Sequence, residues 1–159
     1  MDELLKILKR NAIEKPEDIA RMLRISVEEV KTRIAQYEKS GVIRGYQAIV
    51  NEDQIGIDRV NAFIEVKVTP EREGGFNRVA IRLARFPEVQ SVYLMSGAYD
   101  LLLFVAGRNL KEVALFVSEK LATVKGVIST ATHFMLKTYK HHGVLMEAID
   151  ESERLPVSP

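Results

Sequence analysis

Between Val60 and Val68 the side chains alternate: Ala62, Ile64, Val66 and Val68 fall on one face, and Asn61, Phe63, Glu65 and Lys67 on the other. A period of two marks a strand with one face in a core, and a helix of the same sequence would scatter those apolar groups around its axis. The segments that follow extend the constraint. Phe76, Val79, Ala80 and Leu83 recur at helical spacing until Pro87 stops them. Val89 to Met95 and Leu101 to Ala106 read as two strands, the second apolar enough to be central, separated by Ser96-Gly97-Ala98-Tyr99-Asp100. Asn109 suits the cap of a helix with Val113, Phe116, Val117 and Leu121 on its inner face, and Val127 to Tyr139 reads as a long alternating strand. The order βαββαβ over residues 60–140 predicts an α+β, ferredoxin-like domain with two helices on one face of an antiparallel sheet.

The other face of that sheet is left without a cover. It carries Phe63, Tyr93, Met95 and Met135, so a partner is expected to bury it, most simply a second copy across a twofold axis. Residues 51–59 read as a linker. From His141 to Pro159 the chain turns charged and proline-punctuated, which predicts a short helix or a flexible tail.

The first fifty residues have a different period. Leu4, Leu5, Ile7 and Leu8 give a short amphipathic helix over Asp2 to Arg10. A second begins at Pro16, whose fixed φ suits a first helical turn, with Glu17 and Asp18 at the positive end of the dipole and Ile19, Ala20 and Leu23 inward. Arg24-Ile25 makes a tight turn into Ser26-Val27-Glu28-Glu29, a capping box in which the serine accepts the Glu29 amide proton and Glu29 reaches back. On the third helix Val27, Val30, Ile34 and Tyr37 share one stripe, while Glu28, Thr32, Ala35, Gln36 and Lys39 lie opposite, flanked by Lys31 and Arg33. Gly41 ends it, and Val42 to Val50, broken by Gly45, reads as a strand or small wing carrying Arg44. Two short helices joined by a tight turn, the second capped and polar outside, are the sequence form of a winged helix-turn-helix, and a plain three-helix bundle is the alternative.

Composition narrows the function. Of 159 residues 47% are hydrophobic and 28% charged, the balance of a soluble globular protein. No run approaches the roughly 18 apolar residues of a membrane span, and the charged start Met1-Asp2-Glu3 is unlike a signal peptide, so a cytoplasmic protein is expected. The absence of cysteine excludes disulfides, thiolate metal sites and cysteine nucleophiles. Neither a metal nor a cofactor is called for. The net charge of +1 argues against nucleic acid at first sight, but residues 1–50 hold ten basic against eight acidic side chains and residues 51–159 thirteen against fourteen.

Asp18-Ile19-Ala20, Ser26, Val30, Arg33-Ile34, Gly41-Val42-Ile43 and Gly45-Tyr46 resemble the N-terminal module of the Lrp/AsnC family of leucine- and asparagine-responsive transcriptional regulators. Gly97-Ala98-Tyr99-Asp100, Phe116-Val117, Glu119-Lys120-Leu121, Gly126-Val127 and Thr130-Ala131-Thr132 resemble that family's effector-sensing domain. The resemblance covers about residues 1–140. It implies a regulator that binds double-stranded DNA as a homodimer, assembles further, often to octamers, and senses an amino acid between sensor domains near Gly97 to Asp100. A third helix less basic than in many family members, and a tail after Gly143 outside the shared pattern, are departures.

Two sets of candidate residues follow. For DNA, Ser26 opens the reading helix, Thr32, Gln36 and Glu28 are placed for base edges, and Lys31, Arg33, Lys39 and Arg44 for phosphates. For the effector, Ser96, Gly97, Ala98, Tyr99 and Asp100 form the loop, where Gly97 permits close backbone approach and Asp100 offers an acceptor for an ammonium group, while Thr130 and Thr132 supply hydroxyls. The same loop also reads as a tight hairpin turn, with the aspartate bonding to backbone. Certain tetrapyrrole decarboxylases resemble this two-part architecture, which would make His133, His141 and His142 acid or base groups. No companion carboxylate sits at a telling spacing, and Phe86 to Leu94 lacks the histidine- and arginine-rich pattern of those enzymes. An architectural DNA protein without an effector is the remaining alternative.

Overall fold

The computed structural model describes residues 2–56, 59–70 and 74–147. The chain forms two compact units, Met1–Val50 and Asn51–Pro159.

The first unit holds α1 (Glu3–Arg10), α2 (Pro16–Leu23) and α3 (Val27–Lys39). Asp2 caps α1 by accepting from the Leu4 amide at 3.0 Å, and its other oxygen accepts from the Tyr37 hydroxyl, tying the start of α1 to the end of α3. The small core is Leu4, Leu8, Ile19, Ala20 and Val30, with Val27, Ile34 and Tyr37 packed against it. Helix α2 ends where Arg24 enters the left-handed region at φ 55°, a conformation that normally favours glycine. That residue makes the turn tight. Ser26 Oγ then accepts from Glu29 N at 3.1 Å, as the capping box requires, but the reciprocal half does not form: the Glu29 carboxylate pairs with Arg33 at 2.8 Å, one turn along the helix. A strand or wing across Val42 to Val50 does not form either. The segment runs without a ladder because a lone strand satisfies none of its own backbone groups.

In the second unit β1 (Val60–Val68), β2 (Val89–Leu94), β3 (Leu101–Gly107) and β4 (Val127–Phe134) make an antiparallel sheet of order β2-β3-β1-β4. With α4 (Asn77–Leu83) after β1 and α5 (Leu110–Leu115) after β3, this is the βαββαβ order read from the sequence. Asn109 caps α5 through the Glu112 amide at 2.9 Å, and the helix continues as a π-helical turn over Phe116–Leu121. Ala62, Ile64, Val66 and Val68 meet Leu101, Leu103, Val105, Val79, Leu83 and Leu121 in the core, as the alternation of β1 demands. Phe63, Glu65 and Lys67 are left on the opposite face.

Two expectations about the chain's last third are corrected. Strand β4 stops at Phe134 rather than Tyr139, because its partner β1 begins at Val60 and the Met135 amide already reaches Asn61 O at 2.9 Å. No ladder is left to pair with. The stretch from His141 is neither helix nor tail as far as Glu147: β5 (Lys140–His141) and β6 (Val144–Leu145) form a hairpin whose turn puts His142 at φ 46°. Asn51 Nδ2 donates to the Met146 carbonyl, which fastens this hairpin to the start of the unit. The remainder of the expected tail lies outside the described residues. No helix among the described residues is long and apolar enough to cross a membrane.

Candidate functional site

On α3 the polar face is open. Glu28, Thr32, Ala35, Gln36 and Lys39 lie on the side away from the core, because the stripe at Val30, Ile34 and Tyr37 fixes which side turns inward. Ser26 spends its hydroxyl on the cap. Lys31 pairs with Glu28 at 3.2 Å and Arg33 with Glu29 at 2.8 Å. Such exposed pairs are worth only about 0.3–0.5 kcal/mol, so both cations can exchange a carboxylate for a phosphate at little cost. Lys39 and Arg44 enter no ion pair among the described residues, and Arg44 lies against Gly41, whose missing side chain leaves the guanidinium room. Arg24, at the turn between α2 and α3, is exposed beside this face.

The second candidate site is a cavity of about 170 Å³ lined by Glu65, Lys67, Ala98, Tyr99, Ser129, Thr130 and Ala131. Register brings these together: Glu65 pairs with Ala131 and Lys67 with Ser129 across β1 and β4, and the loop before β3 closes one end. Of the residues singled out beforehand, Ala98, Tyr99 and Thr130 line it. Ser96 and Gly97 are exposed in the loop outside it, and a Cβ on Gly97 would meet nothing within 4 Å. The two threonines pair with buried residues, Thr130 with Val66 and Thr132 with Ile64, so both side chains belong to the helix side of the sheet. Thr130 borders the cavity by its position between Ser129 and Ala131, and Thr132 lies away from it.

Asp100 is bound twice to β1. Its amide donates to Val66 O at 3.1 Å, and its carboxylate accepts from Val68 N at 2.9 Å. The β1–β3 ladder ends with Val66 opposite Leu101, so the next amide on that edge, that of Val68, a residue only 2% exposed, has no strand partner and is met by this carboxylate. The aspartate holds the loop that lines the cavity.

Glu65, Lys67, Ser129 and Ala131 were not singled out as site residues. The available signal was an acid and a base two apart on one strand face, which meets its neighbours only once the β1–β4 register is known. His133 does have a companion carboxylate, contrary to expectation: Nε2 lies 3.2 Å from Glu65 Oε1. The pair crosses the open face of the sheet. His141 and His142 stack edge to face in the hairpin at 4.2 Å between ring centres. Among the described residues no cluster of His, Asp and Glu could hold a metal ion.

Residues 61–145, more than half of the chain, match the model of the Lrp/AsnC ligand binding domain. The chain belongs to the Lrp/AsnC family. It is 49% identical over 158 residues to the HTH-type transcriptional regulator YugG of Bacillus subtilis, with 99% of this chain and 95% of that protein covered. It is 31% identical over 137 residues to the HTH-type regulator PH0140 of Pyrococcus horikoshii, with 86% and 84% covered. Among solved structures, AsnC of E. coli superposes with a TM-score of 0.65 at 24% identity over 89% of this chain and 95% of that one. The regulator NMB0573 of Neisseria meningitidis, solved with L-Met, gives 0.67 at 24% identity over 89% and 93%. At such identities the likeness carries the fold. This Lrp/AsnC chain is thus a transcriptional regulator with a ligand-binding domain, not an enzyme. The family binds DNA and small-molecule effectors and forms oligomers.

Proposed function

We propose that this regulator reads double-stranded DNA sequence-specifically through α2, its turn and α3 acting as a helix-turn-helix, and that an amino acid held against the Tyr99–Asp100 loop sets the DNA affinity. Thr32, Gln36 and Glu28 meet base edges, and Lys31, Arg33, Lys39 and Arg44 meet phosphates. One observation carries the sensing half: the cavity is lined by both an acid, Glu65, and a base, Lys67. Those are the counter-charges of a zwitterion's own ammonium and carboxylate. Ala98, Ser129 and Ala131 along the wall leave space for a side chain, and the L-Met held by the Neisseria relative is of the same chemical class.

Oligomerisation is part of this mechanism. Phe63, Tyr93 and Met95 remain 37%, 52% and 38% exposed on the uncovered sheet face, and Phe63 stacks on Phe104 at 5.1 Å. A second copy buries that surface, places the cavity at the edge of a subunit interface, and gives the two reading helices the symmetry of a palindromic site. Further association of such dimers, up to an octamer, uses the remaining exposed apolar surface. The test is fluorescence anisotropy on duplexes enriched from a random pool, repeated with each common amino acid at millimolar concentration. One or more amino acids should shift the DNA affinity at least fivefold, and Glu65→Gln with Lys67→Met should abolish the shift while leaving effector-free binding intact. Uniform affinity under all additions would overturn the sensing half, and no preference over random duplex would overturn the reading half.

A further inference from the structure

Helix α4 and the turn after it carry Arg78, Arg82 and Arg85, and no acidic residue lies between Asn77 and Arg85. Spacings of four and three put the three on one stripe, pointing away from buried Val79 and Leu83, and all three are exposed. The loop before β4 adds another cation. Arg82 Nη1 donates to the Lys125 carbonyl at 3.4 Å, and Gly126 packs so closely on Val79 that a Cβ there would come within 3.1 Å of its methyl carbon. The contact fixes exposed Lys125 beside the stripe. Glu88, the next acid along the chain, is engaged by Lys120. The patch does not follow from general basicity, since residues 51–159 hold thirteen basic against fourteen acidic side chains.

We propose that Arg82, Arg85 and Lys125 form a second phosphate-binding surface, on the sensor unit, that grips duplex DNA outside the segment read by α3. The inference rests on the DNA-binding reading above. Guanidinium groups match phosphate oxygens in a bidentate fork, which a stripe meant only for solubility would not need. Arg82 and Arg85 lie about 4.5 Å apart along the axis, close to the roughly 3.4 Å between successive phosphates of one strand. The first unit also leaves room for such contacts, because its net charge is only +2, ten basic minus eight acidic side chains.

The experiment compares the full-length protein with R82Q/R85Q/K125Q and with R82K/R85K on two random-sequence duplexes of about 16 and about 60 base pairs, between about 50 and 200 mM salt. Three lost phosphate contacts lower the salt slope on the long duplex by about 2.7, so the drop in affinity across that range shrinks by about 40-fold. On the short duplex the glutamine variant should match the wild type, and the lysine variant should keep most of the slope on both. An unchanged slope on the long duplex, with the wild type binding both, overturns the second surface alone. A wild type that binds neither duplex overturns the DNA-binding reading with it. A variant that changes sedimentation state but not the slope shows a subunit contact there and also overturns the proposal.

Discussion

Replacing Asp100 with alanine separates a turn residue from a ligand-contacting one. In the native chain Asp100 Oδ2 accepts from the Val68 amide at 2.9 Å, where the β1–β3 ladder has ended at Val66 and Leu101 and leaves that amide no strand partner. Val68 is 2% exposed, so water does not replace the lost acceptor without opening the strand end. A buried N–H left unsatisfied costs about 1–3 kcal/mol, which makes about 2 kcal/mol, or a factor of about 30 in the folding equilibrium, the expected destabilisation of the sensor unit. Asp100→Asn keeps an oxygen acceptor but loses the charge assistance, and should cost about 1 kcal/mol. Urea unfolding followed by circular dichroism and tyrosine fluorescence, fitted with one transition per unit, gives the magnitude. Amide exchange at Val68 gives the place. A D100A protein that unfolds at the wild-type midpoint, with the Val68 amide still protected, would refute the turn role. If amino-acid binding alone were lost in that case, the carboxylate would belong to the ligand and not to the turn.

Other perturbations address the remaining contacts. Ser26→Ala removes the acceptor for Glu29 N and should destabilise the first unit by about 1 kcal/mol in the same urea assay, with Ser26→Asp restoring most of it. Phe63→Lys puts a charge in the middle of the uncovered sheet face, where the native ring sits 5.1 Å from Phe104, and should shift the protein toward monomer in analytical ultracentrifugation; an unchanged distribution would place the interface elsewhere. The Tyr37 hydroxyl holds the Asp2 carboxyl below its ordinary value of 3.8, with the Leu4 amide adding to the effect. A carboxyl lowered on folding contributes stability that is present above its unfolded value and lost as pH falls through the lowered one. Tyr37→Phe should therefore be less stable than wild type at neutral pH, with the gap closing below pH 3.8 in acid titrations of unfolding.

The elements legible in the sequence are those whose cause is local. Alternation along β1, the Ser26 and Asn109 caps and the arrest of α4 before Pro87 each depend on a few neighbouring residues, and the structure has them all. What local pattern misses depends on partners distant in the chain. Strand β4 ends where β1 runs out, and nothing within Val127 to Tyr139 records where its partner begins. Val42 to Val50 has strand-like composition but no strand to pair with. Thr130 and Thr132 look equivalent in sequence, yet only Thr130 borders the cavity, and Glu65 and Lys67 join it because register sets them against Ala131 and Ser129. The Glu29 carboxylate had two partners within reach, and Arg33, four residues on, outcompeted the backbone.

Coupling between effector and DNA sites through one protein is the central claim. It is reciprocal by thermodynamic necessity, so a single pair of titrations tests it. The dissociation constant for an enriched duplex is measured with and without a saturating amino acid, and that of the amino acid on free and on DNA-bound protein. The same factor, at least fivefold, is expected in both directions. An amino acid that binds with equal affinity to free and DNA-bound protein would contradict it.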